Sequence, residues 1–196
     1  MECLRPLDPL TWQYGCVLSQ EPLEHAHFLA NMAPPVVSNA FIACKPRHDF
    51  MQFIITSLPD YVKYVDDNNV LKATGPYMMT EVYKNYYEGD LYLGTPDEFQ
   101  PRVDESMIDI MRDHCIPGNE GHVREMDSNV ARRHKNLCDR ITSMHFDNKP
   151  KKDTSYTVHY WTHSWAGPKH DPWNIWDTKA MFHIDEIKEF HEKHPK

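Results

Sequence analysis

Apolar residues recur at helical spacing in three stretches of the chain. In 49–58 they fall at i, i+3, i+4 and i+8, and in 76–86 they form a stripe behind a proline that suits a first helical turn. A third stripe, in 177–191, predicts an amphipathic helix with Ala180, Ile184 and Ile187 on its inner side. We expect Pro59 to stop or interrupt the first helix, because proline lacks the amide that an inner turn needs. The first two stripes consist of Phe50, Phe53, Ile54, Leu58, Met78, Met79, Val82, Tyr83 and Tyr86.

Short apolar runs between these stretches predict strands. Residues 36–44 predict a short buried strand, 91–93 a small one followed by a loop at 99–101, and the alternation in 156–161 an aromatic strand. Cys3 and Leu4, with a turn over 5–9, predict a buried strand at the start. Residues 103–153 are charged and mostly lack a face, which indicates a partly helical insertion with loops. Because strands and helices intermix, the sequence favours an α/β fold.

Composition narrows the classes of function. The 196 residues are 40% apolar, enough for a core, and the net charge of −8 argues against nucleic-acid binding through phosphates. No run approaches the roughly 20 apolar residues of a membrane span, and no secretory signal is visible. The five cysteines form no Cys-x-x-Cys pair, so zinc-ribbon and redox-motif interpretations fail and at least one cysteine is free or intermolecular. His25-x-His27 offers an adventitious metal site, but solvated side chains are the favoured interpretation.

Asn39 is the first candidate for chemistry. At the mouth of a predicted buried strand, its amide offers a donor and an acceptor to a ligand in the adjoining cleft. The alternative is that it satisfies loop backbone, as buried polar groups mostly do.

Thr74-Gly75-Pro76 is the second candidate. A helix start capped by Thr74, with Pro76 in its first turn, aims free N–H groups and a positive dipole end outward. Such an end suits a phosphate or a sugar hydroxyl. An ordinary helix cap explains the same residues, because Ser and Thr caps are common.

The third candidate is the stretch 157–165. A histidine in a polar cleft, here His159, can ligate a metal, and Ser164 and Trp165 supply an O–H and an N–H donor. His159 and His163 cannot share one ion on a strand, because four residues at about 3.3 Å each separate them by about 13 Å. The alternative is an aromatic strand, including Trp161, half buried against the core.

The order of these candidates resembles the second half of glycosyltransferase family 32, the Asp-x-Asp sugar transferases. The resemblance covers most of 1–101 and 156–166 and does not extend to the segment between them. The closing stretch resembles the family's His-His-Trp-x-Gly-Ser-Trp, with Tyr160 and His163 as departures. The similar elements are Ser38-Asn39-Ala-Phe-Ile-Ala, Arg47-His48-Asp-Phe50, Thr74-Gly75-Pro76, Phe99-Gln-Pro101 and the stretch from Val158 to Trp165.

The resemblance implies a retaining transferase with a Rossmann-like, single-domain fold of GT-A type. Residues 1–196 would be its C-terminal portion, with 102–155 a variable insertion. The implied donor is a UDP- or GDP-sugar, the acceptor a glycan or glycolipid, and the cofactor a divalent cation, usually Mn²⁺, that bridges the two donor phosphates. His159 would be a metal ligand, and Ser164 and Trp165 would donate to the departing diphosphate. The residues implied to contact the sugars are Asn39, Thr74, Gly75, Pro76, Trp161 and Trp165.

The start of the chain resembles the stretch that follows the family's Asp-x-Asp pair. The 196 residues contain no Asp-x-Asp, so we expect a longer enzyme whose nucleotide-binding half precedes Met1. The resemblance implies residence in the Golgi and contact with the membrane only through an N-terminal anchor. Two alternatives stay open. One is a non-catalytic, degenerate relative that acts as a binding module, and the other is an acidic, His-rich metal-binding protein.

Overall fold

The computed structural model describes residues 1–61, 70–86, 89–119, 128–151 and 153–161. The chain divides into two compact units, Met1–Tyr160 and Trp161–Lys196, and apart from Trp161 the described residues belong to the first. Strands and helices are intermixed, so the predicted α/β class is confirmed. The helix predicted for 177–191 lies outside the described residues.

The elements of the first unit follow one another in mixed order. The strands are β1 (Glu2–Cys3), β2 (Cys16–Gln20), β3 (Val37–Cys44), β4 (Leu91–Gly94) and β5 (Thr157–Val158). The helices are α1 (Asp8–Gln13), α2 (Asp49–Tyr61), α3 (Val70–Ala73), α4 (Pro76–Lys84), α5 (Pro96–Phe99), α6 (Ile108–Asp113) and α7 (Ser128–Ile141). A π-helical turn spans His25–Leu29 and a 3₁₀ turn spans Glu105–Met107.

Two small sheets organise the described strands. In the first, β2 lies between β3 and β4, antiparallel to β3 and parallel to β4. In the second, β1 pairs with β5 antiparallel. The parallel pair needs a long crossover, and the segment with α2, α3 and α4 supplies it.

Helices α2 and α4 pack on the first sheet and form one core with it. Their predicted stripes are confirmed except at Leu58, which is 36% exposed: the other members are buried or half-buried in this core with Leu18 and Val37. The predicted interruption at Pro59 is wrong, because α2 runs through it to Tyr61. The bond that Pro59 cannot make is to the carbonyl of Ile55, whose side chain is 57% exposed, so water can replace it at small cost. The buried members are Phe50, Ile54, Met78, Met79 and Val82.

Three predicted strands differ from the observed ones. The first is not buried: Met1, Glu2 and Cys3 are exposed, because β1 pairs only along one side in the described part of the chain. Strand β3 is buried only at Val37 and Ser38. Its other residues are exposed or half-buried, because β3 is an edge strand of the described sheet. Strand β5 has two residues instead of six. Trp161 has a φ of 53°, in the left-handed region that extended strands exclude.

Residues 103–153 contain a second core that the sequence interpretation missed. Side chains from α6, α7 and the preceding turn pack on Phe28 of the π-helical turn. The apolar face of α7 lies at Leu137, Cys138 and Ile141, at helical spacing, between charged residues that obscured it. The prediction that the segment mostly lacks a face is therefore wrong, whereas the prediction that it is partly helical is confirmed. The other buried members are Val103, Met107 and Met111.

The two histidines of the π-helical turn are buried, so the prediction that they are solvated is wrong. His25 and His27 are 6% and 7% exposed. His25 Nε2 accepts the N–H of Asp104 at 2.9 Å, and His27 Nε2 lies 3.0 Å from Nδ1 of His134 on α7. Both rings therefore join the turn to the second core.

Four of the five cysteines form two disulfides. Cys16 joins Cys44 across β2 and β3, and Cys115 joins Cys138 between the end of α6 and α7. Cys3 is free and exposed, which confirms the expectation that at least one cysteine is unpaired. Within the described ranges, no helix is both long enough and apolar enough to span a bilayer.

Candidate functional site

The candidate site begins at the carboxyl ends of the parallel strands β2 and β4. Their register pairs Ser19 with Gly94, so both strands end at the same edge of the sheet. In open α/β sheets, ligands bind in the crevice beyond these carboxyl ends. The residues that reach this edge are therefore the first to consider for a binding role.

A bulge in β3 brings Asn39 to this edge. Leu18 pairs with Ile42, but the next residue, Ser19, pairs with Ser38, so three residues of β3 have no partner on β2. Asn39 is the first of them and is exposed. The predicted position at the mouth of a buried strand is thus corrected to an exposed bulge. An exposed amide in a bulge is free to point into a ligand crevice, which is a common use of bulges beside functional sites.

Gln100 lies beneath the bulge and was missed by sequence reasoning. It is 0% exposed, and its Nε2 donates to Ser19 Oγ at 2.8 Å. Ser19 Oγ in turn donates to the carbonyl of Phe41 at 3.4 Å, at the far end of the bulge. Gln100 Oε1 is buried and has no hydrogen-bond partner among the described residues. This buried polar chain holds the bulge in register. The sequence predicted a loop at 99–101, but Phe99 is the last residue of α5, and the resemblance gave Gln100 no role.

A capped turn fixes the position of Gln100. Glu98 Oε2 accepts the N–H of Thr95 at 2.7 Å and its hydroxyl at 2.9 Å, which anchors the start of α5. Tyr92 on β4 donates its hydroxyl to Glu98 Oε1 at 2.8 Å. Burial, followed by the bond to Glu98, raises the pKa of Tyr92 to about 12. Tyr92 therefore stays a neutral donor across the physiological range, and α5 is held to the strand that precedes it.

The start of α4 lies toward the same end of the sheet, because the second turn of α4 contacts Val37 of β3, which pairs with the last residue of β2. Pro76 is its first residue, as predicted, and the N-cap is Gly75 in an extended conformation. Thr74 is exposed and makes no cap hydrogen bond, so the prediction of a Thr74 cap is wrong. Thr74 comes one residue too early for the role. The first amides of any helix lack partners within it, so this end can still accept a polar ligand.

Thr80 ties this helix start to β3. Its hydroxyl donates to the carbonyl of Pro76 at 2.6 Å and accepts the N–H of Val37 at 2.9 Å. Thr80 and Val37 are both 0% exposed. Asn39 is two residues from Val37, and Pro76 is one helical turn from Thr80. Thr80 therefore joins the first turn of α4 to β3 at Val37, two residues before Asn39.

Replacing Thr80 with valine is expected to lower the free energy of unfolding by about 1–3 kcal/mol, because it leaves a buried amide of β3 without its acceptor. Urea denaturation followed by circular dichroism measures the change. Thr56→Val is the matched control, because Thr56 makes only exposed bonds to carbonyls of its own helix. Equal losses for both variants would show that the Val37 bond contributes nothing.

A cavity of about 350 Å³ opens beside the start of α4. Tyr77, the second residue of the helix, donates its hydroxyl to the carbonyl of Ala30 at 2.7 Å on its rim, and burial raises the pKa of Tyr77. Charged and apolar groups share the wall. The residues that line it are Ala30, Asn31, Met32, Tyr61, Lys72, Tyr77, Met78 and Glu81.

His159 lies beside the first strand of the chain. The β1–β5 register pairs Glu2 with Val158, and continuing it by one residue pairs Met1 with His159. His159 is half-buried, and the Tyr160 hydroxyl hydrogen-bonds to the Glu2 carboxylate. Thr157 Oγ1 donates to the carbonyl of Phe99 at 2.6 Å, which links this second sheet to α5.

The remaining predicted site residues are Trp161, Ser164 and Trp165. Ser164 and Trp165 lie outside the described residues, as does His163. Trp161 is half-buried. Across the described ranges, no group of three or more His, Cys, Asp and Glu side chains could hold a metal ion. The described residues therefore give His159 no ligand set of three or more side chains.

Comparisons with protein-family models, with curated proteins and with solved structures found no match to this chain.

Proposed function

We propose that the chain is part of a retaining glycosyltransferase, on a Rossmann-like fold of GT-A type. Its donor would be a UDP- or GDP-sugar, and its acceptor a glycan or glycolipid. One observation carries the proposal: near the carboxyl ends of the parallel pair β2 and β4, the exposed Asn39 lies two residues from Val37, which a buried hydroxyl of α4 holds. This edge is where α/β sheets bind ligands.

Each group at the edge suits a part of a nucleotide sugar. The amide of Asn39 can donate to one sugar hydroxyl and accept from another. The amides and dipole at the start of α4, after Gly75 and Pro76, favour a phosphate oxygen or a hydroxyl. Gln100 is a positioning residue, because it is fully buried and acts on the bulge through Ser19. The cavity beside α4 provides room for a sugar ring next to Tyr77.

The resemblance also implies Mn²⁺, with His159 as one ligand. The described residues do not fit a Mn²⁺ ion by themselves, because they contain no cluster of three or more suitable side chains. Mn²⁺ is a hard cation that prefers several oxygen ligands. The proposed roles of Ser164, Trp165 and Trp161 also rest on the resemblance alone.

The disulfides support the proposed residence in the Golgi lumen. Two pairs, Cys16 with Cys44 and Cys115 with Cys138, use four of the five cysteines. Disulfides persist in oxidising compartments such as the secretory pathway and are rare in the cytosol. Contact with the membrane would come only through an N-terminal anchor, as the resemblance implies.

A thermal-shift titration tests the proposal. The oxidised chain is titrated with UDP- and GDP-hexoses in the presence of Mn²⁺, and separately with glycan acceptors. A ligand that binds the native state raises Tm as its concentration exceeds Kd. We expect at least one of these ligands to raise Tm. A chain that is folded by circular dichroism and whose Tm none of them changes would contradict the proposal and favour a degenerate relative. A rise with Zn²⁺ alone, without any of them, would favour a metal-binding protein.

The variant Asn39→Ala is expected to raise the Kd of the ligand found in this way about tenfold, because one lost polar contact is worth about 1.4 kcal/mol. Its Tm without ligand should change little, because Asn39 is exposed in the bulge. Asn129→Ala, at an exposed position on α7, is the matched control and should leave Kd unchanged. Equal Kd values for Asn39→Ala and the unaltered chain would remove Asn39 from the site.

A further inference from the structure

A second cluster of chemically active side chains lies in the core formed by α6, α7 and the π-helical turn. His134 and Cys138 stand four residues apart on α7, so they share one face of the helix. His134 Nε2 lies 3.5 Å from Cys138 Sγ. Two ligands of one tetrahedral zinc ion, at about 2.0–2.1 Å for nitrogen and about 2.3 Å for sulfur, are about 3.6 Å apart. The pair therefore already has the spacing of two zinc ligands.

Cys115 supplies a third group at the same place. It is bonded to Cys138, and the two Cα atoms are 5.5 Å apart. If the bond is opened, side-chain rotation can separate the two sulfurs to the roughly 3.8 Å that a shared tetrahedral ion requires. Both cysteines are only partly buried, so a reductant can reach them. While the disulfide is intact, the described residues contain no metal-binding group of three or more.

His27 orients the ring of His134. Its Nε2 lies 3.0 Å from His134 Nδ1, which leaves His134 Nε2 facing Cys138. A histidine that ligates a metal through one nitrogen usually hydrogen-bonds through the other, and this bond fixes its tautomer and orientation. His27 and His134 are 7% and 9% exposed. The arrangement is thus a ligand with its supporting partner already in position.

We propose that Cys115, Cys138 and His134 form a Zn²⁺ site when the Cys115–Cys138 disulfide is reduced. A dithiol reductant transfers two electrons and two protons to the disulfide, which yields two thiols, and the reductant itself becomes a disulfide. Zn²⁺ then displaces the two thiol protons and forms two Zn–S bonds and one bond to His134 Nε2, with water in the fourth position. Two thiolates neutralise the charge of the ion, which suits a site beside the buried Met111 and Leu137. Disulfide and zinc are mutually exclusive at this place.

Co²⁺ serves as a spectroscopic probe for the test. The full chain is reduced with a non-chelating phosphine and titrated with Co²⁺, and the thiolate-to-cobalt absorption band is followed. We expect the band to saturate at one equivalent, to disappear when Zn²⁺ is added, and to be absent from the oxidised chain. A reduced chain that is folded by circular dichroism but shows no such band would overturn the proposal.

Matched variants separate this site from binding by other groups. Cys115→Ser/Cys138→Ser should abolish the band, and His134→Ala should raise the Kd for Co²⁺ more than tenfold. His27→Gln should raise it about tenfold, because supporting partners typically contribute 10–100-fold in metal affinity. Cys3→Ser and His145→Ala, at exposed positions outside the cluster, should leave it unchanged. Equal effects of His134→Ala and His145→Ala would exclude His134 as a ligand.

The proposal can also be tested if reduction unfolds the chain. If the reduced chain unfolds, Zn²⁺ should restore its helical circular dichroism at one equivalent, because metal binding to a native site is coupled to folding. An unfolded reduced chain that Zn²⁺ does not restore would contradict the proposal.

Discussion

Replacing Phe99 with alanine is expected to lower the free energy of unfolding by about 3–5 kcal/mol, the range for large aromatic side chains removed from a core. Phe99 is 0% exposed. Its ring centroid lies 4.7 Å from that of Phe41 in the β3 bulge and 5.6 Å from that of Tyr156, with which it stacks. It also lies so close to Gly94 that a Cβ there would overlap its ring. The cavity left by alanine would therefore lie between the two sheets.

Urea denaturation measures this loss, with Phe53→Ala as the matched control. Phe53 is a partly buried phenylalanine on α2 that packs on the edge of the first core, so its removal should cost clearly less. Phe99→Leu should fall between Phe99→Ala and the unaltered chain, because it refills part of the cavity. A loss below about 1 kcal/mol for Phe99→Ala would show that the two sheets do not depend on this ring.

The effect of Phe99→Ala should extend to the candidate site. Gln100 is the next residue, and its bond to Ser19 holds the bulge that exposes Asn39. Displacing the backbone at Phe99 also weakens the bond from Thr157 to its carbonyl. We therefore expect Phe99→Ala to lose ligand affinity as well as stability, whereas Phe53→Ala loses stability alone.

The parts of the fold that the sequence predicted are those with local signals. The apolar stripe after Pro76 correctly predicted α4 and its first residue, because helical periodicity and the preference of proline for a first turn depend only on residues close in sequence. Leu91 to Leu93 gave most of β4 for a similar reason. Thr74 was expected to cap the helix, but the backbone of Gly75 occupies that position. A Ser or Thr cap can be recognised in a sequence only when the position of the helix start is known to within one residue.

What the sequence could not predict depends on contacts between distant residues. The pairing of β1 with β5, and with it the position of His159 beside the first residues, joins the two ends of the first unit. Periodicity carries no information about such partners. Five cysteines likewise do not reveal which two pairs form. The bond from Gln100 to Ser19 spans 81 residues. A local signal for α5 did exist, since Thr95 and Glu98 have the spacing of a capping box.

The apolar face of α7 was missed because of its composition. Its buried positions, His134, Leu137 and Ile141, include a histidine, and the residues between them are mostly charged. A histidine counts as polar in a periodicity search, although here it contacts His27 in the core. The same residue would be a ligand in the proposed zinc site. The burial of His134 thus made the apolar face of α7 hard to recognise in the sequence. Its contacts with specific partners also indicate its proposed role as a metal ligand.

Removing the disulfide between Cys115 and Cys138 is expected to lower the free energy of unfolding by about 3 kcal/mol, the value that loop-closure entropy assigns to a loop of this size. The two cysteines are 23 residues apart. The bond joins the end of α6 to α7, which share the core built on Phe28. Without it, the unfolded chain gains conformational freedom while the folded chain keeps its apolar contacts.

The double variant Cys115→Ala/Cys138→Ala, compared with the oxidised chain by urea denaturation, measures this loss. Cys3→Ala is the matched control, because Cys3 is free and exposed, and it should change the free energy of unfolding by less than about 0.5 kcal/mol. In the variant Cys16→Ala/Cys44→Ala only the disulfide between Cys115 and Cys138 remains. Reducing it with a phosphine should lower the free energy of unfolding by the same amount as Cys115→Ala/Cys138→Ala lowers that of the unaltered chain. A chain whose stability is unchanged by both treatments would show that packing on Phe28 alone holds α6 against α7.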